Sequence, residues 1–205
     1  MPTLYYVHDP MCSWCWGFAP VLDDMLHSLP AGVEVRRLLG GLAPDSDEPM
    51  PEELRDLLQQ TWRRIQSHIP GTEFNFDFWT RCMPRRSTYP ACRAVIAARR
   101  QDTGYDSAMT RAIQRAYYLE ARNPSDTSTL TELAGELGLD TAAFVRDLAS
   151  SSVDRELADE RARAETLGVD SYPSLVLVDA GPPTAVPIDY HDAGPMLARL
   201  GAGAA

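Results

Sequence analysis

Two cysteines separated by two residues, Cys12 and Cys15 of MCSWCW (residues 11–16), follow directly on the apolar run LYYV. Three chemistries are open to such a pair: reversible disulfide exchange, half of a metal site, or inert packing. Exchange needs one sulfur that attacks as a thiolate and a second that displaces it afterwards. Spacing of i and i+3 on a helix puts the second sulfur one turn along on the same face. A metal site needs more ligands. The remaining cysteines, Cys82 and Cys92, have nine residues between them and show no CxxC or HxxxH pattern, which is poor zinc spacing. They read as free buried thiols, with a regulatory disulfide between them as the alternative. No metal is expected.

A second chemical signal is VDSYPS at 169–174, just before the apolar run SLVLV. Proline cannot donate to a sheet ladder but is tolerated at a strand's first residue, and X–Pro bonds are where cis peptides occur. Tyr172–Pro173 is expected to be cis. His8 and Asp9 precede Cys12 closely enough to tune its ionisation, although polar residues at a strand end are ordinarily solvated. Trp14 offers an apolar surface to a substrate segment beside the thiols. Trp16 is as well suited to core packing. Arg85 and Arg86 would supply positive potential near a thiolate, but an arginine pair is usually plain surface.

These residues need elements to hold them. Leu4–His8 is apolar and aromatic and reads as a buried strand. Residues 15–28 place Phe18, Val21, Leu22, Met25 and Leu26 on one helical face, and Pro30-Ala31-Gly32 stops it. Residues 33–39 form a second strand, broken by Gly40-Gly41. Strand, helix, strand makes a βαβ unit with a right-handed crossover. Cys12 then falls where the first strand hands over to the helix, facing unpaired backbone N–H groups and the positive end of the dipole, which favour a thiolate.

From Glu52 to about Ser150 the periods are helical. Leu54, Leu57, Leu58, Trp62 and Ile65 mark one face, GTEFNFDFW reads as irregular, and helices follow at 91–100, 108–121, 130–137 and 142–148. The end of the chain returns to the first pattern. A charged helix over 154–167 ends at Gly168, strands at 174–178 and 184–188 form an antiparallel hairpin around Gly181-Pro182-Pro183, a helix covers 193–200, and GAGAA is a frayed tail. Without its middle, the layout is βαβ plus αββα. The fold class is therefore α/β, a thioredoxin-like fold with a large all-α insertion. The expected division is 1–43 and 153–200 for the thioredoxin-like domain, 44–152 for the helical insertion and 201–205 for the tail.

The chain has 205 residues, 44% apolar and 23% charged, with a net charge of −10. That size buries a core without disulfide staples, and the acidic balance argues against nucleic acid and anionic membranes as partners. All basic residues are arginine, so lysine Schiff-base chemistry is excluded. No transmembrane-length apolar run occurs. MPTLYYVHDP lacks the features of a signal peptide, so a cytoplasmic location is expected. There, four cysteines are more often catalytic, metal-binding or inert than structurally bridged.

With both signals placed, the chain resembles the DsbA family of thiol:disulfide oxidoreductases, in its cytoplasmic FrnE-type branch of predicted protein-disulfide isomerases. The resemblance rests on YYVHDPMCSWCWGFAP (5–20), GVDSYPSLVLV (168–178), STYPACRAVIAAR and LTELAGELGLD. It implies Cys12 as nucleophile, Cys15 as resolving thiol, Pro173 as the cis-proline with Tyr172 and Trp14 beside it, and a substrate groove between sheet domain and insert. It implies thiol and disulfide substrates, protein or small-molecule, with glutathione among them, and no cofactor. Ser13-Trp14 replaces the Pro-His of the periplasmic oxidant, so a strongly oxidising potential does not carry over. A couple near about −120 mV would lie at least ~100 mV above the cytosolic poise, over ~4 kcal/mol toward the dithiol. The expected direction is reduction or isomerisation. The alternative is a glutathione-dependent transferase or isomerase of the kappa and hydroxychromene-carboxylate type, which needs one activated residue and leaves the second cysteine idle.

Overall fold

The computed structural model describes residues 1–201. Strand β1 (Thr3–His8) runs into helix α1 (Ser13–His27) and strand β2 (Glu34–Leu39). Six helices follow: α2 (Glu52–His68), α3 (Phe78–Arg81), α4 (Tyr89–Gln101), α5 (Tyr105–Tyr118), α6 (Thr127–Glu136) and α7 (Thr141–Leu148). Helix α8 (Ser151–Thr166), strands β3 (Ser174–Val178) and β4 (Thr184–Val186) and helix α9 (Gly194–Gly201) complete the chain. Of the expected tail, Gly201 closes α9 and residues 202–205 lie outside the described residues.

The sheet has the order β2-β1-β3-β4. β1 pairs with β2 in parallel and with β3 antiparallel, and β3 with β4 antiparallel. This is a thioredoxin-like sheet, with the helical segments inserted between β2 and α8. Strand period two assigns the faces. Leu4 and Tyr6 of β1 pack with Phe18, Leu22 and Met25 of α1 and with Met196 and Leu200 of α9. Tyr5 and Val7 point to the other face, with Ala164 and Leu167 from α8 and its C-terminal end. A larger cluster around Trp62, Ile65, Ile96, Ile113 and Phe144 fills the helical block and is continuous with Met11 and Leu39.

Several boundaries differ from the periodicity reading for local reasons. Ser150 accepts the Val153 N–H, so α8 starts at Ser151 rather than Asp154. The stretch read as irregular contains the single turn α3, too short to show a period. α5 begins three residues early and stops at Tyr118, and Ala121 turns to φ +52°. Leu57, counted on the buried face of α2, is 57% exposed; Leu54, Leu58, Trp62 and Ile65 define that face without it. Among the described residues, no helix is long and apolar enough to cross a membrane.

Candidate functional site

β1 delivers the chain to a tight turn in which the Cys12 N–H donates to the Asp9 carbonyl at 3.0 Å. Cys12 is the N-cap of α1, with extended backbone at φ −80°, ψ 115°. A capping side chain normally meets one of the first free N–H groups of the helix. Here the cap is a sulfur, and the Cys15 N–H donates to Cys12 Sγ at 3.4 Å. On its other side the Cys12 thiol donates to the Tyr172 carbonyl at 3.4 Å. Cys12 keeps 6% of its surface exposed and Cys15 none. Burial, then the hydrogen bond and charge of Cys12, push the Cys15 thiol well up, against the pull of the Asp9 backbone N–H. One sulfur with a narrow opening to solvent and a fully buried, protonated one behind it is the asymmetry that sequential attack and resolution require.

Tyr172 and Pro173 arrive from the opposite direction. Val7 of β1 faces Ser174 of β3 in the ladder, so the residues just before β3 meet those just after β1. The Tyr172–Pro173 peptide is cis. The Tyr172 hydroxyl donates to the Gly40 carbonyl at 3.0 Å, and its ring lies where a side chain on Gly40 would be, 2.1 Å from an added Cβ. Gly40 therefore lets the ring seat against the end of β2.

His8 and Asp9, read as candidates to tune Cys12 or else as solvated strand-end residues, are not solvated: both are completely buried. The reason is that the β1 end is roofed by the segment after β2 and by the start of α4. Asp9 Oδ1 accepts the Met11 N–H at 2.7 Å. Its Oδ2 accepts from the Leu42 N–H at 2.8 Å, the Thr88 hydroxyl at 2.6 Å and the Cys92 thiol at 3.6 Å. Burial raises the Asp9 carboxyl pKa and these donors hold it back. His8 stacks on Tyr6 at 4.7 Å. Burial, with help from Arg37 and Arg99, brings its pKa down to about 3, so it is a neutral ring at physiological pH.

Trp14, between the two cysteines, is partly buried. Its ring meets Tyr190 at 5.2 Å and His68 at 5.8 Å, and the Arg64 guanidinium lies 5.4 Å above it. Burial, then the charges of Cys12 and Cys15, raise the Tyr190 phenol. Trp16 turns inward, donating to the Glu73 carbonyl at 3.0 Å and stacking on Tyr118. Arg85 is bound to the Ser125 carbonyl and Asp126, so its charge is already engaged. Cys82 donates to the Ala121 carbonyl at 3.0 Å while Cys92 faces Asp9. Among the described residues, no three His, Cys, Asp or Glu side chains gather as a metal site.

Sequence reasoning missed Thr88, Cys92, Arg64, His68 and Tyr190 as neighbours of the thiols. Ser87-Thr88 stood out only as a helix opener, and the Thr88 hydroxyl serves Asp9 instead. Cys92 lies on α4, and Arg64, His68 and Tyr190 come from α2 and the segment after β4, where no local pattern points to Cys12.

Comparison with known proteins places this geometry. The Thioredoxin family matches residues 5–185. A candidate protein disulfide isomerase from Nitrosomonas europaea superposes with a TM-score of 0.84 at 26% identity, covering 98% of this chain and 96% of that one. The cytosolic disulfide reductase DsbM from Pseudomonas aeruginosa gives 0.77 at 29% identity, covering 98% of both chains; a structure of that protein with GSH is similar as well. More distant DsbA oxidoreductases share the fold alone. Among curated sequences, the ClpXP adapter protein SpxH of Bacillus subtilis is 25% identical over 173 residues, 84% of this chain and 56% of that protein. The chain spans a little over half the length of the curated relatives it matches.

Proposed function

The chain belongs to the thioredoxin family and is similar to its DsbA-like oxidoreductases, and from that premise we propose that it carries out thiol:disulfide exchange at Cys12 and Cys15, in the reducing or isomerising direction. The observation that carries the reading is the placement of Cys12 Sγ, between the Cys15 N–H and the Tyr172 carbonyl, with Cys15 buried behind it. Cys12 attacks one sulfur of a substrate disulfide as a thiolate. The substrate S–S bond breaks, a Cys12–substrate disulfide forms, and the first substrate sulfur leaves as a thiolate that takes a proton. Cys15 then loses its proton and attacks Cys12 Sγ. The second substrate thiol departs, and a Cys12–Cys15 disulfide remains, carrying the two-electron oxidation. An external dithiol or two thiols return those electrons. Trp14, Tyr172 and Pro173 line the approach to Cys12, and Asp9 holds the turn that presents it. The likeness to a cytosolic reductase supports the reducing direction and a cytoplasmic setting.

Insulin reduction by dithiothreitol tests this. Wild type accelerates it, Cys12→Ser abolishes the acceleration, and Cys15→Ser stalls as a mixed disulfide visible by mass. Turnover that survives Cys15→Ser points instead to single-thiol glutathione chemistry, the alternative that GSH binding by a similar reductase favours. The adapter relatives favour one further reading, a groove that docks protein without turnover. Equal, near-zero rates for wild type and Cys12→Ser support that one.

A further inference from the structure

Beside Cys12 the surface changes character. The chain carries a net charge of −10, yet the rim around Trp14 is aromatic and cationic. Arg64 lies over the Trp14 ring, His68 meets Trp14 and Tyr190 edge-on, and His191 sits 5.3 Å from His68 between ring centroids. Among the described residues Arg64 has no carboxylate partner, unlike the arginines of α4 and Arg122. Acids lie near the rim too, since Asp24 and Glu73 line a cavity with Tyr190 and His191, but none of them pairs with Arg64 among the described residues. The first turn of α1 carries none. Asp189 Oδ1 accepts the backbone N–H groups of His191 and Asp192, Asp192 accepts that of Gly194, and Asp170 accepts the Ser171 hydroxyl. A guanidinium over an indole face with no carboxylate partner keeps N–H groups free to meet a carboxylate.

We propose that Trp14, Arg64, His68 and Tyr190 form a subsite for a carboxylate placed near the disulfide under attack, so that this chain prefers anionic disulfides. The proposal rests on the exchange reading and adds the substrate's charge to it. The aromatic rings take the hydrophobic part of the ligand, and Arg64 takes the anionic part. The fit is to a disulfide bearing or flanked by carboxylates, in an acidic peptide or in the disulfide of a small anionic thiol.

The test follows the first step alone, in full-length Cys15→Ser/Cys82→Ser protein with a Cys12→Ser counterpart as blank. Second-order rate constants are measured with three disulfides: anionic dithiobis-nitrobenzoate, neutral hydroxyethyl disulfide and cationic cystamine. Each reaction forms one Cys12–probe disulfide and releases one probe thiolate. Relative to a free cysteine peptide, the anionic probe should be favoured over the cationic one. A unit charge about 5 Å away in water is worth a factor of about four, so Arg64→Gln should slow the anionic probe about fourfold, speed the cationic one about as much, and lower the anionic-to-cationic ratio about sixteenfold. Arg64→Glu should lower it further, and ~0.5 M salt should compress it in wild type. Arg146→Gln, on exposed α7 surface, makes the same change in net charge and should leave the ratio alone. A ratio equal to that of the free peptide, or one unmoved by Arg64→Gln, overturns the subsite while leaving exchange intact. Failure of Cys12 to react with any of the three overturns the exchange reading along with it.

Discussion

His8 is wholly enclosed, and neither ring nitrogen has a hydrogen-bond partner among the described residues. Its folded pKa is about 3, whereas an unfolded histidine titrates near 6.5. Between those values the unfolded chain binds a proton that the folded chain refuses. Stability is therefore intact above about pH 6.5 and falls as pH drops toward 3, by several kcal/mol in total. Asp9 acts in the opposite sense. Its raised pKa means the folded state holds a proton longer, so its contribution is lost as pH rises through the folded value, and the measured slope is the difference of the two. His8→Phe keeps a ring against Tyr6 and removes the proton site. The expected result is unfolding at lower pH, with stability near pH 7.5 unchanged or raised by up to about 1 kcal/mol, since an unsatisfied polar group is replaced by an apolar one. Urea titrations from pH 7.5 to 4 measure both, and a slope identical to wild type would place acid lability elsewhere. Cys12, Cys15 and Pro173 were legible because their chemistry is written in adjacent residues. The burial of His8 and Asp9 was not, because it depends on Leu42 and Thr88, distant in sequence, closing over the strand end.

At the scale of elements, the turn after β2 and the loop before β3 meet through an absent side chain. The Gly40-Gly41 pair read only as a strand breaker, while its larger effect is to admit the Tyr172 ring. Because the Tyr172 carbonyl accepts the Cys12 thiol, whatever moves the ring moves a group touching the proposed nucleophile. Gly40→Ala must displace that ring, with an expected stability loss of about 1–3 kcal/mol and a changed rate of Cys12 alkylation by iodoacetamide. Tyr172→Phe removes only the hydroxyl bond to the Gly40 carbonyl. It should cost about 1 kcal/mol and leave the Cys12 rate near that of wild type. Equal Cys12 rates in all three proteins would show that the loop carbonyl does not govern the sulfur. Most helices were visible from their apolar period, as Leu54, Leu58, Trp62 and Ile65 show for α2. The one-turn α3 and the aromatic rim around Trp14 were not, since a single turn has no period and the rim joins α1, α2 and the segment after β4.

At the scale of the whole molecule, a partly buried cation helps tie the helical block to the sheet. Arg99 of α4 pairs with Asp106 of α5 and with Glu156 and Glu160 of α8. Glu160 uses its other oxygen to accept the Leu39 N–H of β2 at 2.7 Å. That link lies on the strand next to β1, so it holds the helices in register with the sheet end from which Cys12 and Tyr172 project. Burial raises the Glu160 carboxyl pKa and Arg99 opposes the rise. Arg99→Met keeps most of the side chain's packing but leaves Glu160 without a cation, while Arg100 still pairs with Glu156 and Arg37 with Asp106. Removing one partner of a buried pair costs about 3–5 kcal/mol; with the Arg99 side chain 18% exposed, the lower end applies. The sign with pH follows from the same groups. Without the guanidinium, Glu160 rises further, so the folded variant takes up a proton at a pH where the unfolded chain does not. The loss should be greatest near pH 8 and shrink toward pH 5. Arg99→Met/Glu160→Gln, which removes the stranded charge, should recover part of it at pH 8. Denaturant unfolding at the two pH values measures all of this, and a loss below about 1 kcal/mol that ignores pH would reduce the Arg99 cluster to ordinary surface pairing.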